Sequence, residues 1–195
     1  NTILKFVEEM NTPEFKSKYH NLQIVLISVK DDYTLVPRQY KEFVLFSKDE
    51  YDKIFDVEFG FEVGKKIRKL GLSIVIKTSD FKTLQEKQLF VGRFIEGFRS
   101  VSLENATPAF VVIDESDVFC PNSKEKNHPS RDIIIDALAR SRSEGISILL
   151  ATQFSTLVNP YARLECLNRI VGLTVELSYR ENVAKMLGDM ELIDK

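Results

Sequence analysis

The chain has 195 residues, of which 44% are hydrophobic and 29% charged, and its net charge is −2 at pH 7. These values are typical of a globular domain and exclude a disordered chain, and no apolar run approaches the roughly 18 residues that span a bilayer. The length predicts a single domain over residues 1–195. Because the molecule has no overall positive field, a nucleic-acid contact would need a local basic patch.

The few cysteines and histidines predict neither a disulfide framework nor a metal centre. Cys120 and Cys166 match no zinc or redox spacing, and nothing at the N-terminus resembles a signal peptide. These features favour a reducing, cytoplasmic setting. His20 and His128 have no metal-ligand companions in the sequence and are expected at the surface.

The first part of the chain alternates helical and strand patterns. Apolar residues at helical spacing predict a helix over 2–10, and short apolar runs predict strands over 22–29 and 43–46. Ser47 followed by Glu50 has the pattern of a capping box, which would open a helix directly after the second strand.

The middle of the chain continues this alternation. The sequence predicts a helix over 62–70, a strand over 72–78 and a long helix within 80–101. The apolar residues expected to share one face of the long helix are Leu84, Val91, Phe94, Ile95, Phe98 and Val101. The segment at 64–71, GKKIRKLG, is the densest basic stretch; a solvated helix face is favoured, and a contact with DNA phosphates is the alternative.

The last part of the chain begins with an apolar strand that ends at residue 113. Ser130 can cap a helix over 131–144 that Gly145 would end. A strand over 146–152, a short helix over 161–167, a strand over 169–177 and a helix that ends near residue 188 follow. Six apolar strands separated by helices predict an α/β fold with a mostly parallel sheet and helices on both faces.

Three carboxylates, Asp114, Glu115 and Asp117, stand where the fourth strand ends. Ligands of open α/β sheets bind beyond the carboxyl ends of the strands. An aspartate there can hold hydrated Mg²⁺, and the adjacent carboxylate can orient or deprotonate a water that attacks a phosphate. Two alternatives remain open: the acidic residues mark a strand that leaves the core, or all three serve as metal ligands in an unrelated hydrolytic enzyme.

Gln153 follows the next strand, and a predicted helix separates it from Asp114 in the sequence. Taken alone, a glutamine at such a position is most often an ordinary loop residue. If its strand lies beside the strand that ends at Asp114, the amide could hydrogen-bond both a water and a phosphate oxygen. The two strand ends together therefore predict a specific constellation for phosphoryl chemistry.

Three segments in order, FVVIDESDVFCP, ALARSRSEGISILLATQ and NPYARLECLNRIVGL, resemble the HerA/FtsK branch of P-loop ATPases, the ring-forming DNA translocases and packaging ATPases. The similarity covers about residues 105–190. It implies a three-layer, RecA-like P-loop NTPase core with the strand before Asp114 in the centre of the sheet. It also implies Asp114 as the Mg²⁺-associated residue, Glu115 as the catalytic base and Gln153 as the sensor.

A ring ATPase of this group completes each site with an arginine from the neighbouring subunit. Arg142, three residues before Gly145, matches that position best, and Arg169 is the second candidate. The alternative for Arg142 is a solvated residue on a helix that also carries Arg140 and Glu144.

The sequence departs from the family in one respect, because it has no GxxxxGK[ST] P-loop. Gly60, Gly64 and Lys65 lack the hydroxyl residue and the spacing, and we reject them as a P-loop. Because the family's P-loop leads directly into a helix, we expect a strand and a P-loop of about 15 residues before Asn1. We then assign Thr2, at the start of the first helix, to nucleotide binding together with Asp114.

The resulting hypothesis is an ATPase that uses ATP and Mg²⁺ to translocate double-stranded DNA through a homo-hexameric ring, conditional on a P-loop upstream. We expect the chain to be too short for an additional barrel domain, which favours a compact motor such as a viral genome-packaging ATPase or a plasmid or archaeal translocase. A capsid protein or a nuclease is a candidate partner, in an archaeal, bacterial or virus-infected host cell. The alternative is a nucleotide-independent structural or docking subunit with a degenerate ATPase fold.

Overall fold

The computed structural model describes residues 2–19, 21–125 and 128–170, together with 181, 183 and 184. The predicted strand over 169–177 and the helix that ends near residue 188 fall almost entirely outside the described residues, as does His20.

A single parallel sheet forms the centre of the described fold. Its strands are β1 (Gln23–Ser28), β2 (Phe43–Phe46), β3 (Ser73–Lys77), β4 (Ala109–Ile113) and β5 (Ile146–Leu150). The order across the sheet is β2-β3-β1-β4-β5. The strands predicted in this part of the chain are confirmed. The central position predicted for the strand before Asp114 is wrong within the described sheet, because β1 is central and β4 lies between β1 and β5.

Helices connect the strands and cover both faces of the sheet. They are α1 (Thr2–Met10), α2 (Pro13–Lys18), α3 (Val36–Gln39), α4 (Lys48–Tyr51), α5 (Gly60–Leu70), α6 (Leu84–Arg99), α7 (Ser116–Phe119), α8 (Arg131–Arg140) and α9 (Pro160–Glu165). A 3-10 turn, Ser141–Glu144, continues α8. Within the described ranges, no helix has the length and apolarity that crossing a membrane requires.

Successive side chains of each strand enter two separate cores, because side chains alternate across a sheet. On β1, Val25 and Ile27 pack with residues of α5, α6 and α8 in one core. Ile24 and Leu26 pack with residues of α1 and α3 in the other. This arrangement explains why the strands are apolar throughout, and it gives the three layers that the sequence predicts.

The long helix α6 buries most of the face that its apolar spacing predicts. Val91, Phe94, Ile95 and Phe98 lie in the core, and so does Val101 just beyond the helix. Leu84, in contrast, is 57% exposed. Leu84 is the first residue of α6, where the helix begins beside a loop, so its side chain has no core to enter.

Glycines let α5 and α6 pack at close range. A Cβ atom on Gly64 would lie 2.1 Å from the Phe94 carbonyl oxygen, and one on Gly97 would lie 1.9 Å from the Phe61 carbonyl oxygen. Gly64 therefore has a packing role within a helix, which agrees with the rejection of this segment as a P-loop. Arg68, in the same basic segment, is fully buried, so the expectation of a solvated face is wrong for this residue.

The cap predicted for α4 takes a different form. The helix begins after Ser47 as expected, but the Ser47 side chain makes no capping hydrogen bond. The Asp80 carboxylate accepts the Lys48 backbone N–H instead, at 3.0 Å. A residue 32 positions away therefore satisfies this helix terminus.

The cap predicted for α8 also differs from the structure. The Ser130 hydroxyl donates to the Phe119 carbonyl oxygen at 2.6 Å and does not cap the helix. His128 replaces it, since its Nδ1 accepts the backbone N–H groups of Arg131 at 3.1 Å and Ser130 at 3.4 Å. His128 is 5% exposed, so the predicted surface position is wrong. Gly145 ends the following turn with φ +69°, as predicted.

Candidate active site

The carboxyl ends of β4 and β5 lie side by side. The ladder continues past the strands, because Ala151 N donates to Ile113 O at 3.0 Å and Ser116 N donates to Ala151 O at 2.8 Å. The segment that begins at Asp114 therefore runs beside the segment that carries Gln153. This adjacency is the condition on which the predicted constellation depends.

The Asp114 carboxylate is oriented by two hydrogen bonds. Its Oδ2 accepts from the Tyr33 hydroxyl at 2.7 Å, and its Oδ1 accepts from Glu115 N at 2.9 Å. Each oxygen keeps further acceptor capacity. Mg²⁺ in phosphate sites takes one or two protein carboxylates and completes its shell with waters and phosphate oxygens. The single fixed carboxylate of Asp114 fits an ion that is held in this way.

Glu115 combines an unusual backbone with an ion pair. Its φ of 48° and ψ of 51° place it in the left-handed region, the only non-glycine residue of the described ranges with positive φ. Such a conformation costs about 1 kcal/mol and is often found at functional sites. Its carboxylate is paired with Lys30, which follows β1. The pKa of Lys30 is raised, mainly by its hydrogen bond to Glu115 and also by the negative charge of Glu115.

The three carboxylates do not converge on one point. Asp117 Oδ1 accepts from the Thr152 hydroxyl at 2.7 Å, whereas Asp114 is bonded to Tyr33 and Glu115 to Lys30. Among the described residues, no group of three His, Cys, Asp or Glu side chains could hold a metal ion. The alternative of a metal centre built from all three carboxylates is therefore wrong.

Gln153 lies just past the end of β5 with an exposed side chain. It forms no hydrogen bond with the other described residues. The neighbouring Thr152 hydroxyl accepts from Phe154 N at 3.0 Å while it donates to Asp117, which fixes the loop that carries Gln153. The amide is thus free to bind a ligand at this edge.

Arg142 lies at the amino end of β5, opposite the carboxyl ends of the strands where Asp114 and Glu115 lie. It is exposed on the 3-10 turn before β5, whereas Gln153 follows that strand. The five residues of β5 separate the two by about 16 Å of strand. Arg142 therefore cannot contact the carboxylate edge of its own subunit.

Two other predicted residues lie away from the carboxylates in the sequence. Arg169 is exposed after α9, and its Nη2 donates to Arg163 O at 3.2 Å. Thr2 begins α1, but its side chain lies outside what the structure describes.

Two residues at this edge, Lys30 and Tyr33, were not predicted from the sequence as site residues. Both follow β1, the strand beside β4. The rule that places ligands beyond the carboxyl ends of strands applies to β1 as well as to β4. In the sequence, the segment SVKDDYT at 28–34 is open to a contact with a nucleotide but favours a solvated strand end, and only the sheet order shows that β1 is a neighbour of β4.

No protein-family model matches the sequence, and no curated protein matches it. Among solved structures, the genome packaging NTPase B204 from Sulfolobus turreted icosahedral virus 2, in complex with ATP-gammaS, superposes with a TM-score of 0.51 at 15% identity. The similarity covers 89% of this chain and 86% of that one. The complex of the same protein with AMPPCP gives the same TM-score and identity.

The chain has the fold of the P-loop NTPases. This result confirms the predicted α/β class, with a parallel sheet between two helical layers. An identity of 15% shows the fold alone.

Proposed function

We propose that the protein is a P-loop ATPase of the HerA/FtsK type that hydrolyses ATP with Mg²⁺ and translocates double-stranded DNA through a homo-hexameric ring. The observation that carries the proposal is the pair of adjacent carboxylates, Asp114 and Glu115, at the carboxyl edge of a parallel sheet. The structural likeness to a viral genome packaging NTPase that was solved with ATP analogues also supports it. A packaging motor would work in the cytoplasm of an archaeal, bacterial or infected host cell, with a capsid protein or a nuclease as partner.

Asp114 and Glu115 divide the chemistry between them. Asp114, held by Tyr33, would bind Mg²⁺, which neutralises the charge of the phosphates when bound. Glu115 would accept a proton from the attacking water. Because its carboxylate is paired with Lys30, this step requires Glu115 to exchange the ammonium for the water. Lys30 is half-exposed, so the exchange needs no opening of the core.

Gln153 and Thr2 would contact the nucleotide. The exposed amide of Gln153 follows β5, next to the strand that ends at Asp114. From this position it could donate to a phosphate oxygen and accept from the attacking water. Thr2, at the start of α1, would bind the nucleotide at the N-terminus of that helix.

The arginine that completes the site would come from a neighbouring subunit. Arg142 is exposed at the edge of the sheet that faces away from the carboxylates. A ring that places this edge against the carboxylate edge of the next subunit would bring its guanidinium to the developing phosphate charge. Arg169 is the second candidate for this role.

The test is ATP hydrolysis by the full-length protein, with and without double-stranded DNA, in the wild type and in Glu115→Gln. We expect DNA-stimulated hydrolysis that falls at least about 100-fold in the variant, since a general base contributes a factor of about 10²–10⁴. Glu115→Gln should still bind ATP. Glu104→Gln, an exposed carboxylate before β4, serves as the matched control and should retain full activity.

Three outcomes would contradict the proposal in different ways. Hydrolysis at the wild-type rate in Glu115→Gln would show that Glu115 is not the base. Hydrolysis that DNA does not stimulate would remove the translocase assignment and leave an ATPase. Absence of both ATP binding and hydrolysis in the full-length wild type would favour the structural or docking subunit.

A further inference from the structure

Two arginines from other helices hold the 3-10 turn that carries Arg142. The first is Arg99, in the last turn of α6. Its Nε and Nη2 each donate to one carboxylate oxygen of Glu144 at 2.8 Å, and its Nη1 donates to Asp136 at 2.9 Å. A bidentate pair of this kind fixes both distance and orientation. Because the Arg99 side chain is only 14% exposed, solvent screens the pair weakly.

The second arginine, Arg68, holds the main chain of the same turn. Its Nη2 donates to the Glu144 carbonyl oxygen at 3.1 Å, and its Nη1 donates to the Thr107 carbonyl oxygen. The guanidinium is fully buried and lies over the ring of Phe98, 5.0 Å from its centroid. Glu144 is therefore anchored through its side chain to α6 and through its backbone to α5.

The end of the turn is fixed to the sheet as well. The Gly145 N–H donates to the Arg142 carbonyl oxygen at 3.2 Å, and the Gly145 carbonyl oxygen accepts from Ala109 N at 2.9 Å. Since Ala109 begins β4, these bonds set the position of the Arg142 backbone relative to the sheet.

The side chain of Arg142 differs from the arginines around it. Arg99 and Arg140 are ion-paired with Asp136, and Arg99 also with Glu144. The Arg142 guanidinium is exposed and has no ion-pair or hydrogen-bond partner among the described residues. The turn thus combines a fixed backbone with a guanidinium that is available to another molecule, so that a contact would cost side-chain entropy of Arg142 but little backbone entropy.

We propose that Arg99 and Glu144 are positioning residues that hold Arg142 in place for the active site of a neighbouring subunit. This inference rests on the proposed function. A looser turn would misplace the guanidinium by an ångström or more, and a displacement of that size can lower a rate about 100-fold. Glu144→Gln should therefore lower kcat about 10- to 100-fold, with KM within about twofold of the wild type, because nucleotide contacts within each subunit stay intact.

Rings assembled from two different variants test the inference. In such rings, the subunit that donates Arg142 and the subunit that hydrolyses ATP carry different substitutions. Glu115→Gln subunits donate an intact Arg142 but cannot hydrolyse ATP, and Arg142→Ala subunits keep the base but lack the guanidinium. We expect a mixture of the two to recover hydrolysis that neither has alone. A donor with both Glu115→Gln and Glu144→Gln should recover about one tenth of that activity or less.

Two further variants of the subunit that donates Arg142 distinguish a loss of positioning from a general destabilisation of this region. Arg140→Ala in the Glu115→Gln background removes an exposed ion pair of α8 and should recover the full activity. Arg99→Lys keeps the charge but loses the bidentate geometry, and it should fail as Glu144→Gln does. Hydrogen exchange of the amides at 141–145 gives a readout besides activity, and it should be faster in Glu144→Gln and Arg99→Lys than in Arg140→Ala.

The outcomes separate the two proposals. If the simple mixture recovers no hydrolysis, Arg142 does not act in a neighbouring subunit, and the inference falls with that part of the proposed function. If the simple mixture recovers hydrolysis and the Glu144→Gln and Arg99→Lys donors recover it equally well, the shared site stands and the positioning role is refuted. Unchanged amide exchange in both variants would also overturn it.

Discussion

The Tyr33 hydroxyl donates a 2.7 Å hydrogen bond to Asp114 Oδ2, which joins the loop after β1 to the end of β4. Tyr33 is 1% exposed, so its ring is part of the core while its hydroxyl reaches the carboxylate edge. Asp114 Oδ1 accepts from Glu115 N on its other side. The fold therefore sets the direction of the Asp114 carboxylate before any ion or nucleotide binds.

Tyr33→Phe tests this relationship. The substitution keeps the ring but removes a hydrogen bond to a charged acceptor, which should lower the free energy of unfolding by about 1.5–3 kcal/mol. Urea denaturation measures the change. We also expect half-maximal hydrolysis at a higher Mg²⁺ concentration, because the carboxylate is less well oriented. Tyr40→Phe, which alters an exposed contact with Gln39, is the control and should change stability by less than about 0.5 kcal/mol. Equal effects of Tyr33→Phe and Tyr40→Phe would show that the Tyr33 hydroxyl does not orient Asp114.

Arg142→Ala should abolish turnover and leave nucleotide binding intact. An arginine supplied to the transferred phosphoryl group contributes a factor of about 10³–10⁵ to kcat. Steady-state hydrolysis and fluorescent-nucleotide binding measure the two properties. Arg140→Ala, on the preceding helix, should retain the wild-type rate. If Arg169→Ala shows the large loss and Arg142→Ala does not, the second candidate takes the role.

Gly97→Ala should destabilise the protein strongly. The added methyl group would meet the Phe61 carbonyl oxygen at 1.9 Å, and backbone of α5 cannot move aside as a flexible side chain could. We expect a loss of about 3 kcal/mol or more in the free energy of unfolding, at the upper end of overpacking effects. Glu96→Ala, at the exposed neighbouring position, should stay within about 0.5 kcal/mol of the wild type. Stabilisation by Gly97→Ala in thermal or urea denaturation would refute the close approach of the two helices.

His128 should make stability depend on pH in a defined direction. Burial lowers the pKa of His128, and the charge of Arg131 lowers it further, while Glu125 and Asp132 act in the opposite sense. Because the folded-state pKa lies below the ordinary value of about 6.5, the unfolded chain takes up a proton first as the pH falls. The contribution is complete above about pH 6.5 and is lost progressively below it.

The comparison of His128 with asparagine measures this effect. Asparagine can accept backbone N–H groups at a helix N-terminus and does not titrate. Urea denaturation at pH 7.5 and pH 5.5 should show a smaller difference in stability for His128→Asn than for the wild type. An identical pH dependence in the two proteins would show that His128 does not couple protonation to folding.

Local sequence patterns were sufficient to predict the described strands, most of the longer helices and the ends of several of these elements. Short apolar runs identified the five described strands, because a strand buried on both faces has no polar side. Helical spacing identified α1, α5 and α6. Gly145 indicated the end of the turn before β5, because glycine is the residue that most readily adopts the left-handed conformation. These signals are local, since each depends on residues within a few positions.

Which side chains contact one another depends on the tertiary fold and could not be predicted from local patterns. Asp80 caps α4 from 32 residues away, Tyr33 reaches Asp114 across 81 and Lys30 reaches Glu115 across 85. Parallel strands are joined by crossovers, so strands that are neighbours in the sheet can be distant in the chain. The sheet order places the loop after β1 beside the end of β4, and that contact between distant segments brings a lysine and a tyrosine to the two carboxylates.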